Sequence, residues 1–583
     1  MSQSAEKSHK NVLLIFKTHL DIGFTDFSKN ILDKYLHEYI PNAIRVGYEL
    51  RGTKTPFVWT VGSWLVWQAL KQDTDGTVES AIRDGILRWH ALPFTTHTEL
   101  MDTTLFTYGV ELSRRLDARF GTHTTGAKMS DVPGHTVGIV PILKQRGITF
   151  LHIGINPATP LPPVPSLFRW RCDEDEIRVM YHGAYGEDYD LGDTVVVFSH
   201  TGDNHGPHSA EQIIKVYEEL EEKYPGYKIT AGSINDIAER VEALTDLPVI
   251  EGEIGDTWIH GLGTDPEKVS RFKKVQRHLA SLGSTKTDLA DSLLIVPEHT
   301  WGLDMKAQFF YDKYYSHEDI LRMRAECTNA EASWREQRAY VEAAEKLLDV
   351  TPDYPICAPN LREYSDIPVP DAIDFEISWQ LYNDEDYERY KRDYMRCFEE
   401  WAIWDFTKPG LDFYDGGIFV ATVTRAYKKE NERLYRLDFP KDIQDTYGLP
   451  HFYLCITDGA VEVKWFGKKP SRFPQAFWFK MKGYRETWKI HKMGRWIAPE
   501  SILGSPYISG TDFGVKNDTY TIESWDCALV APYGRRLLQY GEAPAEQDLY
   551  FNLYNNVWNT NFPMWYSDDA MFRFRIYPSA GDL

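Results

Sequence analysis

The feature that most constrains this chain is a short apolar run that ends in a histidine and an aspartate. Residues 12–16, VLLIF, have the continuous apolar character of a buried strand of a parallel sheet. His19 and Asp21 follow directly, and Gly23 lets the chain turn away. Residues i and i+2 of a strand point the same way, so the imidazole and the carboxylate converge, as binding of a zinc-like ion requires. A surface hydrogen-bonded pair is the alternative interpretation.

The rest of the chain falls into three regions that differ in their apolar pattern. From residue 11 to about 265, short apolar runs alternate with helical stretches, which predicts a parallel sheet with right-handed crossovers, open or closed into a barrel. From 266 to about 349 the pattern is helical, including one long helix over 317–348. A Pro-rich segment at 351–359 indicates a linker. The last third alternates apolar and polar residues, as the antiparallel strands of a sandwich do.

We therefore expect a multidomain chain with α/β, α and β regions. At 583 residues it has room for several domains. The predicted domains are an N-terminal (β/α) barrel-like parallel-sheet domain over 1–265, a central helical bundle over 266–350 and a C-terminal antiparallel β-sandwich domain over 360–583. The last of these would carry a helical insertion at about 385–401.

Charge and composition argue against several classes of protein. A net charge of −22 argues against nucleic acid or an anionic membrane surface as a partner. No apolar run approaches the roughly 20 residues that span a bilayer, and the polar start MSQSAEKSHK has no signal-peptide core. An aromatic content of 14% favours a carbohydrate partner. Whether the chain forms a homo-oligomer stays open. Scattered cysteines predict reduced thiols and a cytoplasmic protein; they are Cys172, Cys327, Cys357, Cys397, Cys455 and Cys527.

Two polar stretches follow predicted strands, where the loops of a barrel enzyme gather. In 128–135, KMSDVPGH, Asp131 follows a predicted strand and the Pro-Gly after it forces a turn. A cap for the next helix is the alternative role of that aspartate. In 198–209, FSHTGDNHGPHS, Asp203 and His205 lie among glycines after the buried run TVVVF. A solvated turn is the alternative there, although the buried strand before it favours a site.

Two further stretches flank the start of the helical region. EGEIGDTWIHGLGTDP offers Asp256, Trp258 and His260 immediately before the first helix. In VPEHTWGLD, His299 interrupts an otherwise apolar helical pattern, and a hydrogen-bonded core histidine is the alternative. Like the two stretches above, each falls just after a predicted strand or at a helix start, where the loops of a barrel enzyme gather.

Taken in order, these stretches resemble glycoside hydrolase family 38, the metal-dependent α-mannosidases. THLDIGF is similar to the family's H-x-D-x-G-W motif on the first strand, and SDVPGHTVGIVPILKQRGI is similar to its D-x-F-G-H…LP-x-(I/L)-L…G motif. EGEI…HGLGT resembles the G-E-L…H-R-G-T stretch before the helices, and PEHTWGLD lies where the family has a buried histidine. NNVWNTNFPMW…FRFRI is similar to the N-x-W-x-T-N-F segment of the closing β-domain. The resemblance spans most of the chain.

The resemblance implies a retaining α-mannosidase-like glycosidase with one bound ion, most simply Zn²⁺, whose ligands would be His19, Asp21, Asp131 and His299. Asp131 would also be the nucleophile, because one carboxylate oxygen can bind the metal while the other attacks the anomeric carbon. Asp203 would protonate the leaving oxygen, with Asp256 as the alternative acid. We expect the sugar to be bound by Phe24, His205, Trp258 and His260.

The sequence also departs from the family. Lys17 stands where a histidine is usual, Phe24 stands where a tryptophan is usual, and HIGINPATPLPPVP lacks an expected arginine. These differences predict a divergent, shortened branch whose exact sugar, linkage and aglycone stay open. Two other classes also remain. A metal-dependent polysaccharide deacetylase would use its ion to make the hydrolytic water, and a non-catalytic carbohydrate-binding protein would lack the acid.

Overall fold

The computed structural model describes most of the chain and divides it into two compact units. It describes residues 10–283, 290–308, 314–324, 328–411, 415–482, 487–504, 507–545 and 547–579. Within those residues, the first unit comprises 10–96, 106–133 and 139–251, and the second comprises 97–105, 134–138 and the described part of 252–579. The domain boundaries over 1–265, 266–350 and 360–583 stay a prediction.

Eleven strands of the first unit, numbered in chain order, position the candidate site. They are β1 (Asn11–His19), β2 (Trp59–Gly62), β3 (Leu87–His90), β4 (Gly126–Asp131), β5 (Phe150–Ile155), β6 (Leu167–Cys172), β7 (Asp175–His182), β8 (Tyr189–Asp190), β9 (Thr194–Asp203), β10 (Lys228–Ala231) and β11 (Val249–Glu251). They form two sheets, described in turn below.

The first sheet has β1 at its centre, in the order β3-β2-β1-β9-β8. On one side β1 pairs in parallel with β9, and on the other with β10 along its first half and β2 near its end. Strands therefore flank β1 on both edges, and residues 12–19 are all buried. This burial explains why the strand is a continuous apolar run rather than an alternating one.

The second sheet of this unit has the order β11-β6-β7-β5-β4, with β4, β5 and β7 parallel and β6 antiparallel to β7. The strands LFRWRC (β6) and DEIRVMYH (β7) interleave charged and apolar residues, so the sequence pattern does not predict them. The N–H of Ala91 donates to the carbonyl of Gly126 (2.9 Å). The expected barrel-like arrangement thus takes the form of two sheets that meet where β3 ends and β4 begins.

Helices connect these strands, as the alternating pattern predicted. They are Ser28–Lys34, Ile40–Glu49, Ser63–Gln72, Thr77–Arg83, Thr103–Phe120, Ile139–Gln145, Ala210–Lys223 and Ile234–Glu242, with a π-helical turn at Tyr35–Tyr39. The helix after β9 begins with a capping box, in which Ser209 and Gln212 exchange side-chain and backbone hydrogen bonds. Leu13 and Ile15 of β1 pack in one buried cluster with Ile234, Ile237 and Val241 of the last helix. This packing anchors the strand whose carboxyl end carries His19.

The helices of the second unit begin at Asp265, whose side chain accepts the N–H of Lys268 (3.0 Å). The described helices are Pro266–Leu282, Asp291–Ile295, Met305–Gln308, His317–Met323, Thr328–Leu348, Asp384–Tyr394, Glu400–Phe406 and Lys441–Tyr447. Arg271 binds Glu345 with two nitrogens (3.0 and 2.6 Å), which joins the first long helix to Thr328–Leu348. The prediction of a single helix over 317–348 is wrong, because the first helix ends at Met323 and Arg324 is its C-cap. Residues 284–289, 309–313 and 325–327 lie outside the described residues.

Two antiparallel sheets account for most of the remaining second unit. The ten-stranded sheet contains, in spatial order, Ser365–Ile367, Thr422–Lys429, Glu432–Asp438, His451–Thr457, Ala460–Phe466, Ala570–Pro578, Tyr520–Ser524, Gly514–Lys516, Lys489–Lys492 and Arg495–Ile497. The six-stranded sheet contains Gly417–Val420, Phe375–Leu381, Gln475–Met481, Tyr550–Asn555, Leu529–Ala531 and Ser509–Gly510, and a separate parallel pair joins Glu253–Gly255 to Ile502–Gly504. Phe479 of the smaller sheet stacks on Phe574 of the larger (4.9 Å between ring centroids). The two sheets therefore pack face to face as a sandwich.

The fold class expected from the sequence is confirmed. Parallel-sheet α/β structure comes first, a helical region follows, and an antiparallel β region closes the chain. None of the helices in the described part of the chain combines the length and the hydrophobicity that a membrane span requires. Cys327 lies outside the described residues, and no disulfide joins the other five cysteines.

Candidate active site

Three residues predicted from the sequence are the last residues of strands in the first unit. His19 ends β1, Asp131 ends β4 and Asp203 ends β9. His19 and Asp203 stand opposite each other in the parallel pairing of β1 with β9, after a bulge between Lys17 and His19. The carboxyl ends of parallel strands are where ligands bind in α/β folds, so these three residues define a candidate active site.

His19, Asp21 and Asp203 form a compact set of possible metal ligands. One ligand atom of each lies within 4.8 Å of those of the other two. His19 Nε2 lies 3.2 Å from Asp21 Oδ1, and both side chains are buried. A ligand atom of Asp131 also lies within 4.8 Å of one on His19. One imidazole surrounded by carboxylates is a donor set that suits Zn²⁺.

Asp131 is held in a strained conformation. Its φ of +76° is a left-handed value that L-residues rarely adopt. The side-chain amide of Asn156 donates to Asp131 Oδ1 (3.1 Å), and the N–H of Asn156 donates to the backbone carbonyl of Asp131 (2.9 Å). This strain is maintained by specific hydrogen bonds at the end of β4, which favours a functional role over a helix cap. A non-glycine residue in this region is a pattern that active sites share.

Tyr185 contacts both Asp131 and His19. Its hydroxyl donates to Asp131 Oδ1 (2.5 Å), and its ring stacks on the imidazole of His19 with centroids 5.1 Å apart. Burial and the nearby Asp131 carboxylate raise the pKa of Tyr185 well above its usual value. The phenol is therefore a neutral donor at ordinary pH. Tyr185 could not be predicted from the sequence, because it follows β7, whose charged residues hide the strand pattern.

Buried basic side chains lie near these residues. Lys128 Nζ donates to Ser130 Oγ (2.9 Å), which in turn lies 2.8 Å from His19 Nδ1. Burial lowers the pKa of Lys128 to about 8, and burial together with Lys128 lowers the pKa of Lys17 well below its usual value. Burial, with a contribution from Lys17, lowers the pKa of His200 to about 3, so this imidazole is neutral. Two buried lysines of the first unit thus lie near the site.

The two remaining site candidates of the first unit are less buried than His19 and Asp131. Phe24 is half-buried and has a φ of +63°. His205 is exposed, and its Nδ1 lies 3.1 Å from the carbonyl of Thr201. Their expected role in binding the sugar stays a prediction.

The other candidates belong to the second unit and are buried there. His299 Nδ1 lies 2.5 Å from Glu298 Oε1. Trp258 packs edge-on against Trp558 (5.4 Å between centroids), and burial lowers the pKa of His260 to about 3. Trp258 and His260 are therefore core side chains of the second unit. Their role in sugar binding stays a prediction.

Asp256, the alternative acid, also lies in the second unit. Its Oδ1 accepts the N–H of Trp258 (2.9 Å) and the hydroxyl of Tyr394 (2.8 Å). Burial raises the pKa of Asp256 to about 7. A carboxyl group that keeps its proton near neutrality has the protonation state of a general acid, although burial alone also gives this shift.

Two solved structures share this fold. An alpha-mannosidase from Enterococcus faecalis V583 superposes with a TM-score of 0.60 at 10% sequence identity, covering 98% of this chain and 87% of that one. A protein of glycosyl hydrolase family 38 from Enterococcus faecalis superposes with a TM-score of 0.55 at 10% identity, covering 98% and 86%. Residues 262–356 match a domain of unknown function, DUF5054. No curated protein matches the sequence.

Proposed function

We propose that this chain is a metal-dependent retaining glycoside hydrolase that cleaves an α-mannoside or a closely related α-glycoside. The observation that carries the proposal is the strained Asp131 carboxylate, within 4.8 Å of His19 and hydrogen-bonded to Tyr185, at the end of a parallel strand. The fold shared with an alpha-mannosidase supports the same chemistry.

The donor set fits one divalent ion, and we propose Zn²⁺. His19, Asp21 and Asp131 would supply its ligands from the first unit, and the resemblance of PEHTWGLD to the family motif supports His299 as the fourth. The ion would bind neighbouring hydroxyl groups of the sugar, favouring a distorted ring and an oxocarbenium-like transition state.

In the first chemical step, Asp131 attacks the anomeric carbon and forms a glycosyl ester as the bond to the leaving oxygen breaks. The proton on Asp203 passes to that oxygen, so the aglycone leaves as a neutral alcohol. In the second step Asp203, now ionised, takes a proton from water as the water oxygen displaces Asp131. Two inversions give net retention at the anomeric carbon. Tyr185 holds the Asp131 carboxylate in one orientation throughout.

Asp203 has a rival role in this arrangement. Its closeness to His19 and Asp21 also suits a metal ligand, and Asp256 remains the alternative acid. The two roles of Asp203 differ in what its removal does to metal affinity, so they can be separated by experiment. The cytoplasmic location and the lack of nucleic-acid and membrane partners stay predictions from the sequence. The oligomeric state stays open.

The direct test is a screen of aryl α-glycosides with purified protein, after chelation and again after addition of Zn²⁺. We expect hydrolysis of an α-mannoside or a related α-glycoside that chelation abolishes and Zn²⁺ restores. Asp131→Asn is the control for contaminating activity and should be inactive in both conditions. Hydrolysis that chelation does not affect would contradict the proposal that the activity requires a metal ion. Sugar binding without hydrolysis of any glycoside would indicate a non-catalytic carbohydrate-binding protein, and release of acetate from an acetylated sugar would indicate a deacetylase.

A further inference from the structure

Asn204 occupies an unusual position directly after Asp203. It is buried, with 5% of its surface exposed, and its φ of +54° is left-handed. Asn tolerates this conformation better than most residues because its short polar side chain can bond locally. Its N–H donates to the carbonyl of His19 (3.1 Å), and its own carbonyl accepts the hydroxyl of Tyr39 (2.8 Å). The backbone at this residue thus joins the end of β9 to the end of β1.

The side chain of Asn204 binds the loop that carries Asp21. Asn204 Oδ1 accepts the N–H of Asp21 (3.0 Å), and Nδ2 donates to the carbonyl of Asp21 (3.1 Å). Nδ2 also lies within bonding distance of the Gly23 carbonyl (3.0 Å) and Thr25 Oγ1 (3.1 Å). Both halves of the amide are therefore in use. A carboxylate at this position could accept hydrogen bonds but not donate them, and an apolar side chain could neither accept nor donate.

We propose that Asn204 is a positioning residue that holds the Asp21 and Asp203 carboxylates against His19. It lies next to Asp203 in sequence and bonds both backbone polar groups of Asp21, so a shift of either strand end is resisted by the same amide. Groups that orient metal ligands from behind commonly change metal affinity by about 10- to 100-fold when removed. The inference rests on the proposed function, because it requires His19 and Asp21 to be metal ligands.

The rival explanation is that Asn204 only stabilises a turn. Asn235 provides a matched control, because its Oδ1 accepts the N–H groups of Thr125 (3.1 Å) and Gly126 (3.0 Å) at the opposite end of β4. Removing either amide takes away hydrogen bonds to the backbone of the first unit. Only Asn204 lies beside the candidate ligands. Both variants should therefore lose stability, but only the Asn204 variant should lose metal affinity.

The test compares Asn204→Gly with Asn235→Gly for Co²⁺ and Zn²⁺ affinity, by competition with a chelator, and for thermal unfolding. Glycine keeps the left-handed backbone and removes the amide. We expect both variants to unfold at lower temperature and only Asn204→Gly to lose metal affinity, by about 10- to 100-fold. The visible spectrum of bound Co²⁺ should change in Asn204→Gly alone. Should Asn204→Gly not fold, Asn204→Ser gives the same comparison with a side chain too short for both contacts.

Equal metal affinity in wild type and the folded Asn204 variant would overturn the inference and leave the proposed function standing. A wild-type protein that binds neither ion would overturn both. Loss of affinity in the variant, from a wild type that hydrolyses no glycoside, would support the positioning role and overturn the proposed hydrolase.

Discussion

The hydroxyl of Tyr185 donates to Asp131 Oδ1 at 2.5 Å while its ring lies stacked on His19, with centroids 5.1 Å apart. One side chain therefore fixes both the proposed nucleophile and a proposed metal ligand. Because the phenol is neutral, it orients the carboxylate without neutralising it.

Tyr185→Phe separates these two contacts, since it keeps the stacked ring and removes the donor. A hydrogen bond to a charged group is worth about 1.5–3 kcal/mol, so we expect kcat to fall by about 10- to 150-fold while metal content stays near that of wild type. Tyr217→Phe is the matched control, because it removes a hydroxyl that donates to the carbonyl of Pro56 (2.8 Å) in the same unit. Equal kinetic loss in both variants would remove the special role of Tyr185.

The metal assignment predicts about one divalent ion per chain by elemental analysis of the purified protein. His19→Ala combined with His299→Ala should abolish binding, because both imidazoles are proposed ligands. His205→Ala is a control, since that histidine is exposed and is not a proposed ligand. A double variant that keeps a full complement of metal would show that the ligands lie elsewhere.

Asp203→Ala distinguishes a proton donor from a metal ligand. If Asp203 is the acid, the variant should slow aryl glycosides with poor leaving groups far more than dinitrophenyl glycosides, whose leaving groups need no proton. Metal affinity should then stay within about threefold of wild type, a shift well short of what loss of a ligand causes. Equal slowing of both substrates, together with weaker metal binding, would make Asp203 a ligand and Asp256 the next acid to test.

The buried Asp256 carboxyl predicts a particular dependence of stability on pH. Its pKa is raised by burial to about 7, whereas an unfolded aspartate titrates near 3.9. The folded state therefore holds the extra proton between these values, and the stability it contributes is lost as pH rises from about 4 through about 7. Asp256→Asn keeps an acceptor oxygen and cannot titrate. Its free energy of unfolding should rise relative to wild type across this window, whereas exposed Asp442→Asn should run parallel to wild type.

Much of this arrangement could be predicted from the sequence because it is encoded locally. The apolar run of β1, followed by His19 and Asp21, specifies a strand with polar residues at its end, and the same pattern holds before Asp203. The class of fold followed from the change in periodicity along the chain. These features need only neighbouring residues to be recognised.

The rest depends on contacts between distant segments, which no local pattern contains. Tyr185 meets Asp131 from 54 positions away, and Asn204 meets Asp21 from 183 positions away. The hairpin of β6 and β7 was missed because charged residues interrupt its apolar positions, and its partners lie in β5 and β11. The positive φ of Asp131 is a property of the folded loop rather than of the residue type.

The central claim is that Asp131 forms a covalent bond to the sugar, and trapping that intermediate tests it most directly. An activated 5-fluoro α-glycosyl fluoride keeps the ring hydroxyls and forms a glycosyl ester that hydrolyses slowly, so the labelled protein can be digested and its peptides weighed. We predict one added sugar per chain, on the peptide that contains Asp131, and none in Asp131→Asn. A label on any other carboxylate, or release of an inverted sugar as the first product from an unmodified substrate, would contradict the account.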